Sequence, residues 1–274
     1  MKGTPPMTQK EADELIEQHQ SWLRQPLNLR SKAQGRARLE GASFSGTSFK
    51  GAKLDNVWFY RCNFAACDFT GASLEGATLL YCCLDDAKLD GANLAGSALK
   101  SSSFKAASLM KANLAGAQLK SANLTGAILL EANLQDADIS GADLSRANGE
   151  GINLSGATAK KTVFKGATLA GATVEGATFV QSDMTGVSLE KSLIARCEFY
   201  SCEVAGLRLH GSTLKDLVIQ MTNLGQLEAT NITLVKTETE PLRELKAVLS
   251  GKISDLKWPV DKKYGWLAGR AALR

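Results

Sequence analysis

The chain has 274 residues and a net charge of +4, carried mostly by its ends. Residues 37–236 hold 18 basic and 19 acidic side chains, against 6 and 4 in residues 1–36 and 8 and 5 in residues 237–274. This balance excludes a polybasic arm or an acidic tail, and no apolar run reaches the ~20 residues of a membrane-spanning helix.

The first segment, residues 1–36, reads as an N-terminal capping helix and linker. Its opening "MKGTPPMTQKEADELIEQ" has no apolar h-region, so a cytoplasmic location is expected, with signal-independent export also compatible. Thr8 and Glu11 have the T-x-x-E spacing of a capping box, and Pro26 marks a stop, which predicts a helix over 8–25. Ala12, Leu15, Ile16, His19, Trp22 and Leu23 fall on one helical face, expected to lie on the first turn of whatever follows.

Residues 37–236 follow a different rule. From Leu39 to Leu234 there are 40 consecutive fifth positions without insertion or deletion, holding 22 Leu, 9 Phe, 3 Ile, 2 Val and 1 Met. Only Gly149, Ala159 and Ala229 are not large, and every Phe of the chain lies on this class. Two residues earlier, 20 of 40 positions are Ala and 13 are Ser, Thr or Cys; two residues later, 18 are Gly. A period of five is neither helix nor strand. It suits one side of a square coil, with the large residue at the centre and the small one at the wall. Four sides give a coil of 20 residues, stacked at the ~4.8 Å spacing of paired strands. Residues 20 apart should then sit over one another: Asn93, Asn113, Asn133 and Asn153 as a ladder, Phe44 on Phe64, Phe49 on Phe69 and Phe179 on Phe199.

The last segment, 237–274, reads as a C-terminal helix and aromatic tail. Pro241 and Gly251 bracket a helix with a Leu242, Leu245, Leu249 stripe, followed by Trp258, Tyr264 and Trp266.

The unit small–polar–large–polar–Gly, seen as "ANLTG", "ADISG" and "ADLSR", resembles the A(D/N)LXX motif of the pentapeptide-repeat family over 39–234. The resemblance implies an all-β solenoid, a right-handed quadrilateral β-helix of about ten coils, here with short α-helical caps at both ends. A solenoid needs such caps, because open ends expose core and unpaired backbone.

Candidate chemistry is sparse. Cys62, Cys67, Cys82, Cys197 and Cys202 occupy the small inward position, and their spacing is not that of C-x-x-C metal sites, so they read as filler and free thiols. His19 and His210 have no triad or metal partner in the sequence pattern, and "GEGINLSG" has its third Gly misplaced for a phosphate loop. Gly149 reads instead as a gap in the Leu column, filled in part by Ile152. No catalytic residue, cofactor or metal is expected, and the protein is not expected to be an enzyme.

Function then falls to the outer walls. Trp58, Tyr60, Arg61, Leu80 and Tyr81 share one wall and form an aromatic and arginine cluster, the composition of protein-interface hot spots. The 20-residue rule sets Tyr60 under Leu80 and Arg61 under Tyr81, the second a cation–π pair. Lys100, Lys120, Lys160 and Lys161 continue that wall, and Met110, Ile128 and Leu130 form a smaller patch opposite. The reading is a non-catalytic scaffold presenting rigid walls to a protein partner, or to a second copy as a homodimer through the C-terminal segment. Neither a membrane nor a nucleic acid is an expected partner. The alternatives are a DNA-mimic modulator of gyrase, which the family resemblance implies and the neutral middle opposes, and a bacterial secretion-system effector or accessory protein.

Overall fold

Inside each coil the large residue every fifth position is buried, as Leu114, Leu119 and Leu124 show with zero exposure. A tight turn follows each of them: the Ala117 N–H donates to the Leu114 carbonyl at 3.0 Å, and Ala122 to Leu119 at 2.9 Å. The corner between them needs left-handed backbone, φ 66° at Gly116, which is why glycine is the commonest residue at this position. The remaining backbone groups bond to neighbouring coils. Leu114 N–H reaches the Asn133 carbonyl at 2.7 Å, and Asn113 N–H reaches the Ala92 carbonyl at 2.9 Å, so each side bonds both above and below. The computed structural model describes residues 6–30, 35–220, 222, 227–229 and 233–235. At 20 residues per turn, residues 38–217 make nine coils of a β-solenoid, and a tenth begins at Val218.

Most sides pair through single parallel bridges, and in nine of the eleven short strands among the described residues at least one β-branched or aromatic residue flanks the inward one. β1 (Arg38–Glu40), β2 (Trp58–Tyr60) and β3 (Thr78–Leu80) make one three-stranded parallel sheet low on the first wall. Higher on that wall are β4 (Thr158–Lys160), β6 (Thr178–Val180), β8 (Glu198–Tyr200) and β10 (Val218–Gln220). On the fourth wall β5 (Thr173–Glu175), β7 (Leu193–Ala195), β9 (Thr213–Lys215) and β11 (Thr233–Val235) pair in the same 20-residue register.

The expected stacks are present. Phe44 lies on Phe64 with centroids 5.0 Å apart, Phe49 on Phe69 at 4.8 Å and Phe179 on Phe199 at 4.9 Å, each nearly parallel. Asn153 donates to Asn133, Asn133 to Asn113 and Asn113 to Asn93 at 3.0–3.2 Å, and Asn93 ends the ladder on the Glu75 carboxylate at 3.2 Å. Each Asn oxygen also accepts the N–H two residues on, as Ala115 does to Asn113. At Gly149 an added Cβ would lie 2.8 Å from Leu169 Cδ2 and 3.3 Å from Ile152 Cδ1, so those two buried side chains fill the gap in the column.

Helix α1 (Gln9–Leu23) closes the lower end, with Thr8 and Glu11 forming the reciprocal capping box. Pro26 is followed by the one-turn helix α2 (Leu27–Arg30). Met7 N–H bonds to Ser43, Gln9 to Ser48, and His19 to both Ala37 and Asp55, so the amphipathic face crosses the first coil. Ala12, His19 and Trp22 are buried there. His19 fastens the cap: Ala37 N–H donates to Nδ1 at 3.0 Å, which leaves the proton on Nε2, donating to the Asp55 carbonyl at 2.9 Å. The upper cap expected at 241–251 and the segment with Trp258, Tyr264 and Trp266 lie outside the described residues.

Two predictions follow from this packing. Gly149→Leu overfills the core and should lower stability by about 1–3 kcal/mol, while Gly149→Leu with Ile152→Ala recovers most of the loss in denaturant titration. Burial holds the His19 pKa below its ordinary 6.5, against opposing effects of Asp55, and Arg36 adds to the lowering. A base with a depressed folded pKa contributes fully above the unfolded value and loses that contribution as pH falls through it. Thermal midpoints should therefore drop from pH 7 to pH 5, a drop that His19→Gln reduces.

Candidate partner-binding wall

The first wall carries β1–β3 and the residues singled out by composition. Trp58 and Tyr60 flank inward Phe59 on β2, so alternation points both rings outward. Their centroids are 5.8 Å apart and nearly parallel. Tyr81 meets the Tyr60 ring edge-on at 5.5 Å, and Leu80 pairs with Tyr60 in register. All five predicted residues therefore share one surface, with Tyr81 46% exposed. The one pairing that differs is that of Arg61, whose guanidinium lies 5.0 Å from the Tyr60 ring on its own coil and not on Tyr81. Arg61 and Tyr81 occupy successive corners, and a corner side chain can swing back along its own strand as well as across the column.

A sixth residue joins them. Arg38, one coil below Trp58, stacks over its ring at 4.4 Å. Its signal was in the numbering, since 38 and 58 are 20 apart. Arg61 at φ 53° and Tyr81 at φ 58° occupy the left-handed corner, which glycine and residues with side chains share equally among the described coils. Such backbone costs a residue with a side chain roughly 1–2 kcal/mol.

The described N-terminal residues leave this cluster open, because residues 7–19 bond to the first coil at Ala37, Ser43, Ser48 and Asp55. Above the cluster, the column through Tyr60 and Leu80 continues as Lys100, Lys120, Ser140 and Lys160 to Val180 and Tyr200. Lys120 is paired with Asp138 at 3.0 Å. Burial alone would raise the Asp138 pKa, but bonds from Ser140 and Lys120 outweigh it and hold the carboxyl below the usual range. Lys100, Lys160 and Lys161 are exposed and make no ion pair among the described residues. Counting each corner with the wall it closes, the described residues of this wall hold six cations against Glu40, Asp138 and Glu198. Its net charge is +3, whereas the second, third and fourth walls carry −2, −1 and −2. The opposite wall bears the smaller apolar patch, with Met110 38% and Ile128 37% exposed beside Leu130.

The other candidate groups have structural positions. All six cysteines are unbridged and five are buried. Burial pushes the Cys197 thiol up to about 11, and the Cys82 thiol is pushed up by its contact with Cys62 and by burial. Such thiols are poor nucleophiles. Among the described residues no three His, Cys, Asp or Glu side chains gather as a metal site, and no helix is long and apolar enough to cross a membrane.

A tower of square coils with an inward residue at every fifth position defines the class, a pentapeptide β-solenoid. Family models agree along the chain: "Pentapeptide repeat region" matches residues 57–134, "Pentapeptide repeats (9 copies)" 34–78 and "Pentapeptide repeats (8 copies)" 150–186. The chain belongs to the pentapeptide-repeat family. Among solved structures it is similar to HetL, a pentapeptide repeat protein involved in heterocyst differentiation regulation from the cyanobacterium Nostoc sp. strain PCC 7120. That match has 23% identity and a TM-score of 0.36, covering 70% of this chain and 89% of that one. Full-length QnrB1, a plasmid-mediated fluoroquinolone resistance protein, matches at 18% identity and TM-score 0.33, covering 69% and 94%. A pentapeptide repeat protein from the Arabidopsis thaliana thylakoid lumen matches at 27% identity and TM-score 0.21, covering 55% and 67%. No curated protein matches the chain.

The corner strain gives a direct test. Tyr81→Gly and Tyr81→Ala remove the same ring, but only glycine relieves the left-handed backbone, so the glycine variant should be about 1 kcal/mol more stable by denaturant titration.

Proposed function

We propose that the protein is a non-catalytic binding rod whose first wall docks a protein partner through Trp58, Tyr60, Arg61, Leu80 and Tyr81. One observation carries this reading. The outward positions of the tower are mostly small, polar or charged, yet here three aromatic rings and two arginines interlock on one wall that the other described residues leave uncovered. Aromatic rings supply large contact areas at low cost in lost freedom, and β2 fixes the backbone of Trp58 and Tyr60, and β3 that of Leu80, before any partner arrives.

The gyrase-modulating alternative needs a surface that imitates the phosphate backbone. Walls of +3, −2, −1 and −2 lack the dense negative field this requires, and a supercoiling assay with the pure protein should show no inhibition.

Trp58→Ser with Tyr81→Ser should leave the thermal midpoint within about 5 °C of the parent, because both side chains are outside the core. In affinity capture from the native lysate the same double variant should lose the partner that the parent retains. Equal recovery by both proteins would remove this wall as the binding site.

A further inference from the structure

The charge pattern above the aromatic cluster says what kind of partner the wall fits. This step rests on the binding reading just given and adds the chemistry of the other side. Of the four walls only the first is cationic among the described residues, and its lysines without an ion pair there, Lys100, Lys160 and Lys161, lie above the rings. Lys100 is two coils above Tyr60, and Lys160 with Lys161 is five coils above. At ~4.8 Å per coil these levels are roughly 10 Å and 24 Å from the rings. Lys120, between them, is already neutralised by Asp138. The wall is thus an apolar anchor site at one end and two separated cationic levels along a straight track.

We infer that the partner is an acidic polypeptide segment, which sets an aromatic or large aliphatic side chain on the Trp58, Tyr60 and Tyr81 rings and runs up the wall with carboxylates facing Lys100, Lys160 and Lys161. An extended chain rises ~3.3 Å per residue, so about seven residues span the distance from the rings to Lys160. The acidic second and fourth walls flank the track and repel a broad anion on both sides. That favours a narrow chain over a nucleic-acid duplex, whose phosphates would spread beyond a wall of net +3.

The probe is a fluorescein-labelled peptide with one Trp followed by about eight residues alternating Glu and Gly, followed by anisotropy with the full chain. The Kd is expected in the micromolar range, rising about tenfold between roughly 50 and 500 mM salt. Lys100→Glu/Lys160→Glu/Lys161→Glu should weaken it about tenfold or more, and so should Trp58→Ser/Tyr81→Ser. The same peptide with Lys for Glu should not bind. All these lysines are exposed, so matched circular dichroism spectra and melting curves will separate lost binding from lost fold.

Absence of binding up to about 1 mM peptide overturns the inference, as does a charge-reversed protein that binds as well as the parent. Loss in the aromatic variant alone leaves the binding wall standing and removes its acidic partner. Loss in the lysine variant alone removes the aromatic anchor, and with it the function proposed above. A labelled 20-base-pair duplex bound as tightly as the peptide, with the same lysine dependence, would replace the polypeptide by nucleic acid.

Discussion

Every coil of this protein must return to its starting corner after 20 residues, because only then do its N–H and C=O groups meet those of the coils above and below. The bonds that enforce this are short and continuous, such as Leu114 to Asn133 at 2.7 Å and Leu134 to Asn153 at 2.8 Å. A single inserted residue would move every following large side chain off the inward position. The cost would then fall on the whole tower above it. This constraint explains the unbroken register better than any local preference, since sheets tolerate no slip when one face is buried. It also sorts the residues. Inward positions are committed to packing, corners to left-handed backbone, and only the outward columns remain free to vary.

Those columns are where the molecule acquires individuality. A surface built from stacked sides presents flat walls whose side chains recur at a fixed spacing. On the fourth wall the recurrence is used for stability, with asparagines bonded in series and ended on Glu75. Bonds aligned in this way polarise one another. The first wall bears rings and arginines at its lower end and lysines above, a pattern that adds nothing to the core. Because neighbouring coils hold these groups fixed, a partner loses little to ordering the surface it meets.

Much of this was legible in the residues. Periods of five and 20 placed Leu114, the phenylalanine stacks, the asparagine ladder and the filling of Gly149, since each depends only on backbone register. The capping box at Thr8 and Glu11 was legible because it is local. Two features were not. Arg61 turns to Tyr60 and away from Tyr81, a choice of side-chain direction at a corner that spacing does not fix. The role of His19 was visible only as apolar-face membership, because its partners Ala37 and Asp55 lie 18 and 36 residues away and meet it through backbone groups that carry no sequence signal. The Arg38–Trp58 pair lay between these cases, present in the 20-residue rule and recognised only with the wall assembled.

The central claim is that one wall of a four-walled tower meets the partner, and site-specific photo-crosslinking tests it most directly. A photoreactive residue at Ser101, the corner above Tyr81, reports on the first wall; one at Gln135 reports on the asparagine wall. The account predicts covalent adducts with the partner from position 101 and none from position 135. Adducts of equal yield from both positions, or from 135 alone, would contradict it.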